Sequence, residues 1–283
     1  MVERRRGPAW LTHAVLMAGV AVFAFPIYVA VIGSTHDVGT IGRGNLPLTP
    51  GASTVENYRQ AWQHGSGERV RGTAVARMMW NSLVMAIVIT AGKITLSLLS
   101  AFAVVFFRFP FRLGFFWMIF LTLMLPVEVR IIPTYKVVAD LGLVNTFTGL
   151  TVPLMVSATA TLLFRQFFLT IPDELVEAAK IDGAGPLTFL RAVLVPLSRT
   201  NIAALCVILF IYGWNQYLWP LLITTSRGMD TIVIGITKMI GTGDAQIDWN
   251  LIMATTALAL LPPVGVVVLM QRWFVRGLVE TEK

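Results

Sequence analysis

Cysteine, histidine and carboxylates are scarce in this 283-residue chain, and each shortage removes a class of chemistry. The single cysteine, Cys206, falls inside an apolar run. An intramolecular disulfide and a thiolate metal cluster are therefore excluded, and a small apolar packing role remains. The three histidines, His13, His36 and His64, are scattered, and none of the 15 acidic residues groups with them at metal-ligand spacing. A nucleotide-binding glycine loop is missing as well. Around Ala91-Gly92-Lys93-Ile94-Thr95, Ile87 stands where the leading glycine belongs and Ile94 where Ser or Thr must follow the lysine. Gly65-Ser66-Gly67 lacks the spacing of a nucleophile elbow. Neither catalysis nor a cofactor is expected of this chain. Internal repeats, low-complexity tracts and halves of inverted topology are not evident.

Charge is short too. Charged residues make up 13% of the chain and apolar ones 56%, against about 25% and 45–50% in soluble domains. A soluble fold of this size cannot hide so much apolar surface, so the surplus must face lipid. The net charge of +7 would suggest a nucleic-acid partner in a soluble protein. Here the basic residues sit at the ends of apolar runs, as membrane orientation requires, and no nucleic-acid binding is expected.

A helix crosses the hydrocarbon with about 20 mostly apolar residues. Runs of that kind cover residues 10–33, 81–107, 115–132, 147–168, 199–224 and 251–274, which predicts an all-α, polytopic protein with six transmembrane helices. The first run follows Arg4, Arg5 and Arg6 and resembles a signal peptide at its start. It is longer than the about 7–15 residues of a signal h-region and has no small-residue cleavage site, so it reads as an uncleaved span kinked at Pro26. Residues 34–79 form the one sizeable polar excursion on their side. The chain divides into 1–75 (tail, first span and loop), 76–274 (the remaining spans) and a tail at 275–283.

Orientation follows the short-loop cations. Arg4 to Arg6, Arg108, Arg112, Arg165, Lys180, Arg191, Arg199, Arg272, Arg276 and Lys283 all fall on one side of alternating spans. The other side has Arg130, Lys136, Arg227 and Lys238, with five arginines (43, 59, 69, 71 and 77) in its long first loop. Both termini are expected in the cytoplasm.

The cytoplasmic stretch 171–198 reads IPDELVEAAKIDGAGPLTFLRAVLVPLS. Pro172 with Asp173 and Glu174 opens a helix where the dipole favours negative charge. Leu175, Val176, Ala179 and Ile181 supply apolar surface, Glu177, Lys180 and Asp182 supply charge, and Gly183 stops the helix. Gly185-Pro186 then turns the chain into a second amphipathic stretch ending at Pro196. By pattern alone this is a short helix at the membrane surface, either an anchor or a docking element.

The spacing Glu177-Ala178-Ala179, three residues, Gly183, nine residues, Val193-Leu194-Val195-Pro196 closely resembles the EAA loop of permease subunits in ABC importers. The family usually has Ile and Leu where Val193 and Val195 stand. Trp214-Asn215-Gln216-Tyr217-Leu218-Trp219-Pro220 is similar to a fifth-span motif of the carbohydrate-uptake (maltose-permease-like) group. The segments 92–95, 124–130 and 274–278 look like the second permease of its sn-glycerol-3-phosphate branch. The resemblance covers the chain from about Trp10. It implies a type I ABC-importer permease fold with the last five spans as its core, and a cargo of sn-glycerol-3-phosphate, a glycerophosphodiester or a neutral sugar. It also implies a homologous second permease, two ATP-binding subunits that hold the ATP and magnesium, and an extracytoplasmic solute-binding protein. On this resemblance Glu177, Ala178, Ala179, Asp182, Gly183 and Pro196 couple the spans to the ATPase. A secondary transporter and a multi-pass lipid-modifying enzyme are the readings from other classes.

Several polar residues fall inside the predicted spans. Lys93 is mid-span, where a charge costs roughly 2.5–3.5 kcal/mol on insertion scales. It shares a helical face with Thr90, Ser97 and Ser100, and either lines the pathway or makes a structural ion pair or hydrogen bond. Glu128 and Arg130 lie between Pro126 and Pro133. Arg130 is suited either to binding a phosphate bidentately or to anchoring at the interface. Trp214, Asn215, Gln216 and Tyr217 either contact substrate or serve as an aromatic belt and helix glue.

Overall fold

Where water is absent, a backbone N–H or C=O must find its partner within the chain, and a run of apolar residues meets that demand as a helix. The computed structural model describes residues 9–44, 46–65, 72–122, 125–240 and 247–280, with side chains for all of these except 9, 127 and 272–280. Expectations resting on Arg4, Arg5, Arg6, Ser66, Arg69, Arg71, Met124 and Lys283, and on the side chains of Arg272, Arg276 and residues 274–278, lie outside that set. Among the described residues there is no strand.

The helices are α1 (Ala9–Gly33), α2 (Val38–Gly42), α3 (Thr54–His64), α4 (Val75–Phe106), α5 (Arg112–Leu121), α6 (Val127–Asp140), α7 (Phe147–Thr151), α8 (Ala158–Phe168), α9 (Asp173–Ile181), α10 (Pro186–Phe189), α11 (Val195–Leu197), α12 (Arg199–Trp214), α13 (Leu218–Ile223), α14 (Ile232–Ile240) and α15 (Trp249–Glu280). Three of them contain stretches long and apolar enough to cross a membrane: Trp10–Gly33, Val75–Phe106 and Trp249–Gln271. Two bent pairs each make a further crossing if counted as one. Phe147–Leu154 with Ala158–Phe168 bends by 46°, and Pro186–Leu197 with Arg199–Trp214 by 74°. The described residues thus give up to five crossings by length and composition, where the apolar runs predict six.

The difference lies at prolines. The run 115–132 does not form one helix: α5 stops at Leu121, and α6 starts after Pro126, whose ψ of 144° is extended. A proline disfavours helix at the residue before it, here Leu125. The run 199–224 breaks after Trp214, and α13 resumes at Leu218. Pro220 accounts for the break, because its ring clashes with the carbonyl four residues back, that of Gln216.

The chain falls into two units, Met1–Arg77 with Gly235–Leu261, and Met78–Ile234 with Pro262–Lys283. In the first, α1 is apolar all round and largely exposed, as a lipid-facing helix must be. The polar excursion is tied down by buried Asn57, which donates to the carbonyls of Ser34 (2.8 Å) and His36 (2.7 Å) and accepts from Asn250 (2.8 Å). At the head of α2, the Thr40 hydroxyl and backbone N–H hold the Asp37 carboxyl below its ordinary pKa.

In the second unit, two apolar clusters form the core. One joins Leu98 and Phe102 of α4 to Phe164 and Phe168 of α8, to Phe189, Leu190 and Leu194, and to Leu205 and Leu209 of α12. The other joins Met85 and Ile89 to Ile131, Val138, Leu150, Trp219 and Ile223. Leaving α6, the chain is locked by Asn145, one of two non-glycine residues with positive φ (59°) among those described. Its Oδ1 accepts from the N–H groups of Thr225 (2.7 Å) and Ser226 (2.8 Å), and its Nδ2 donates to the Thr225 hydroxyl (2.7 Å).

Asn145→Ala removes all three of these bonds and leaves a left-handed backbone on a residue that resists it, a loss of about 2–3 kcal/mol. Thermal unfolding of the detergent-solubilised chain should fall by several degrees, and by less for Asn145→Asp, which keeps an acceptor. An unchanged melting temperature in Asn145→Ala would show that this tie carries no stability.

Candidate coupling loop and translocation cavity

Two sites in the second unit can serve transport. The first is the loop around α9. Pro172 precedes the helix, and Asp173 and Glu174 occupy its first turn. At the other end, Gly183 takes φ +73°, its N–H donates to the carbonyl of Lys180 (3.0 Å), and that of Ala184 donates to the carbonyl of Ala179 (2.9 Å). This pair of bonds, with a left-handed glycine just past the helix, is the Schellman cap. A Cβ at Gly183 would meet nothing within 4 Å, so the constraint there is the backbone angle and not space.

The faces of α9 divide cleanly. Val176 and Ala179 pack against the Phe102–Phe164–Phe168–Phe189 cluster. Glu177, Ala178 and Asp182 are exposed, and so are Leu175 and Ile181, the latter by 85%. Beyond the turn, α10 passes at Leu190–Leu194 into a π-helical turn, closed by the N–H of Val195 on the carbonyl of Leu190. Pro196 gives the reason: its ring cannot pass the carbonyl four residues back in a regular α-helix, and a wider turn makes room.

The second site is a cavity of about 470 Å³ walled by α4, α6, the approach to α8, and the α12–α13 break. Lys93 and Arg130 both line it, as do Thr122, Thr134, Ser157, Thr159, Tyr212, Gln216 and Trp219. No carboxylate lines it among the described residues. Lys93 is 7% exposed, and its Nζ stands 3.9 Å from the centroid of the Tyr212 ring. Gly213 makes that contact possible. A Cβ there would come 2.9 Å from the Cα of Ala86, so α12 lies backbone to backbone against α4.

The other residues singled out in the sequence are placed differently. Ser97 is buried and donates to the carbonyl of Ser157 (3.0 Å), beside the cavity and not in its wall. Glu128 is exposed in the first turn of α6 and does not line the cavity. Trp214 is buried and stacks on Phe210 (5.9 Å), Asn215 ends α12, and Tyr217 is exposed and does not line the cavity. Within the same motif, Gln216 and Trp219 face the cavity. Gln216 Nε2 donates to the carbonyl of Tyr212 (3.2 Å), satisfying a group that the helix break would leave bare. Trp219 Nε1 donates to the carbonyl of Gly149 (3.2 Å). Tyr212 was not recognisable from sequence, because its partner is on another helix.

The family model for the binding-protein-dependent transport system inner membrane component matches residues 93–280. The chain is 60% identical over 283 residues, all of both proteins, to the sn-glycerol-3-phosphate transport system permease protein UgpE of Rhizobium meliloti (strain 1021). The relative of the same name from Salmonella typhi is 56% identical, again over the whole of both chains. Among solved structures, a chain of a bacterial ABC transporter involved in the import of the acidic polysaccharide alginate has the same fold. It covers 94% of this chain and 96% of its own length with a TM-score of 0.75, at 21% identity. Apolar helices, a capped surface loop with the EAA spacing and this match agree: the chain belongs to the family of binding-protein-dependent transport system inner membrane components.

Proposed function

We propose that this chain is one of two permease subunits of an ATP-driven importer that carries sn-glycerol-3-phosphate across the inner membrane. The cargo reading is supported by the name its relatives carry at 60% full-length identity. The observation that carries it in this molecule is the cavity with two cations and no described carboxylate in its wall, which suits an anion and not a neutral sugar. Positive charge offsets the hydration a phosphate loses, and the Coulomb term grows as the effective dielectric falls.

The chain is non-catalytic in this reading. A homologous permease completes the pathway, two partner subunits bind and hydrolyse ATP, and an extracytoplasmic binding protein delivers the solute. The rigid α9 is the coupling element. Its exposed Leu175 and Ile181, with Glu177 and Asp182 beside them, form a face for a groove on an ATP-binding subunit. Val176 and Ala179 pass the movement to the spans. Gly183 caps the helix, and Pro196 fixes the π turn behind it. Both termini lie in the cytoplasm.

Three measurements test this. In proteoliposomes holding the full assembly, radiolabelled sn-glycerol-3-phosphate should accumulate with ATP, and a neutral polyol should not; uptake of both alike would remove the phosphate reading. Gly183→Val forces a β-branched side chain into φ +73°, a strain of about 1–3 kcal/mol that unwinds the cap. Uptake should drop at least about tenfold with the chain still in the membrane. Normal uptake would reduce the loop to an anchor. Finally, reporter fusions after Arg112, within 184–188 and after Lys283 should report cytoplasm, and one near Gly51 the outer side. A cytoplasmic signal at Gly51 would reverse the orientation.

A further inference from the structure

We infer that Lys93, Arg130 and Tyr212 form a phosphoryl-binding site within this subunit, in which Tyr212 is a positioning residue that holds the Lys93 ammonium at the cavity wall. The inference rests on the reading of the chain as an importer of a phosphate ester, and it adds where on this chain the phosphoryl group is held.

A lysine buried in an apolar helix normally finds a carboxylate, because an unpaired charge away from water is expensive. Here the ammonium lies over the face of an aromatic ring instead, 3.9 Å from its centroid. The ring's quadrupole attracts the cation but leaves its full charge uncompensated. A carboxylate in that position would neutralise it and make it useless to an incoming anion. Arg130 opens onto the same cavity and is exposed. Two cations facing one space repel each other, and a dianion between them turns that repulsion into attraction on both sides.

The volume of about 470 Å³ lies within the roughly 300–1,000 Å³ of small-ligand sites. The wall also supplies what a polyol backbone requires. The hydroxyls of Thr134, Ser157 and Thr159 and the amide of Gln216 can exchange hydrogen bonds with it, and the Trp219 ring offers an apolar face. The division of labour is charge for the phosphoryl group and neutral groups for the rest. An arginine presents a planar fork to two phosphate oxygens, and an ammonium is a point charge free to swing to a third. Tyr212 therefore acts through Lys93 and does not replace it.

The test is uptake of radiolabelled sn-glycerol-3-phosphate by the complete importer in proteoliposomes, with assembly monitored by co-purification of every subunit. Lys93→Met and Tyr212→Leu should each lower uptake at least about tenfold, the scale of one lost charge-assisted hydrogen bond. Tyr212→Phe keeps the ring face and should retain uptake within about twofold. The double variant Lys93→Met/Tyr212→Leu should be no worse than Lys93→Met, because two residues acting as one unit are not additive. Lys93→Gln serves if the methionine variant does not assemble. Additive losses, or failure of Tyr212→Phe to rescue, would overturn the role of Tyr212.

The same variants in vesicles of phosphatidylcholine alone separate cargo from lipid, since a lipid headgroup offers the same phosphoryl chemistry. A loss that persists there belongs to the cargo. A loss confined to vesicles containing phosphatidylglycerol assigns the cations to a headgroup and overturns the inference. A wild-type assembly that takes up no phosphate ester sinks the underlying reading. Wild-type uptake with full activity in Lys93→Met sinks only this one.

Discussion

The contact on which the second unit depends is the packing of aromatic rings beneath α9. Phe106 of α4 lies 5.8 Å from Phe168 of α8 and 5.5 Å from Phe189 of α10, and Phe102 follows at 5.6 Å. Ring pairs at such spacings are close-packed, and a protein interior at that density transmits strain instead of absorbing it. The helix α9 sits on this cluster through Val176 and Ala179. Helix α4 leads from it: Lys93 is nine residues before Phe102 on the same helix, about 14 Å at 1.5 Å per residue. A push on the loop therefore has a short, stiff route to the level of the cavity.

Where the physics is local, the sequence carries it openly. The start and stop of α9 were legible because Pro172, Asp173, Glu174 and Gly183 act within one turn of themselves. The long apolar runs were legible because composition alone decides that they face lipid. The breaks before α6 and before α13 were not, although Pro126 and Pro220 stood in view. A span-length hydropathy average runs over Glu128 and Arg130 at one and Asn215 and Gln216 at the other, and it does not register the backbone sterics of a proline.

The cavity wall was half legible. Lys93 and Arg130 stood out as charges within apolar runs. Ser97, Glu128, Trp214 and Tyr217 also fall in apolar runs but do not line the cavity, because the periodicity of one helix does not say which neighbour its face will meet. The contact of Tyr212 with Lys93 depends on the approach of α12 to α4 at Gly213, which joins segments about 120 positions apart. Such a pairing comes from tertiary packing and leaves no mark in either segment alone.

The π turn at Leu190–Leu194 bears on how this segment tolerates change over evolutionary time. Such a turn holds one residue more than the α-helix it interrupts. Removing one residue between 190 and 194 would restore regular winding and drive the Pro196 ring against the carbonyl four residues back, the clash that the wider turn avoids. Exchanges among Val, Ile and Leu leave the winding intact. Drift here is thus confined to side-chain replacement, and the length of the stretch is held fixed by geometry.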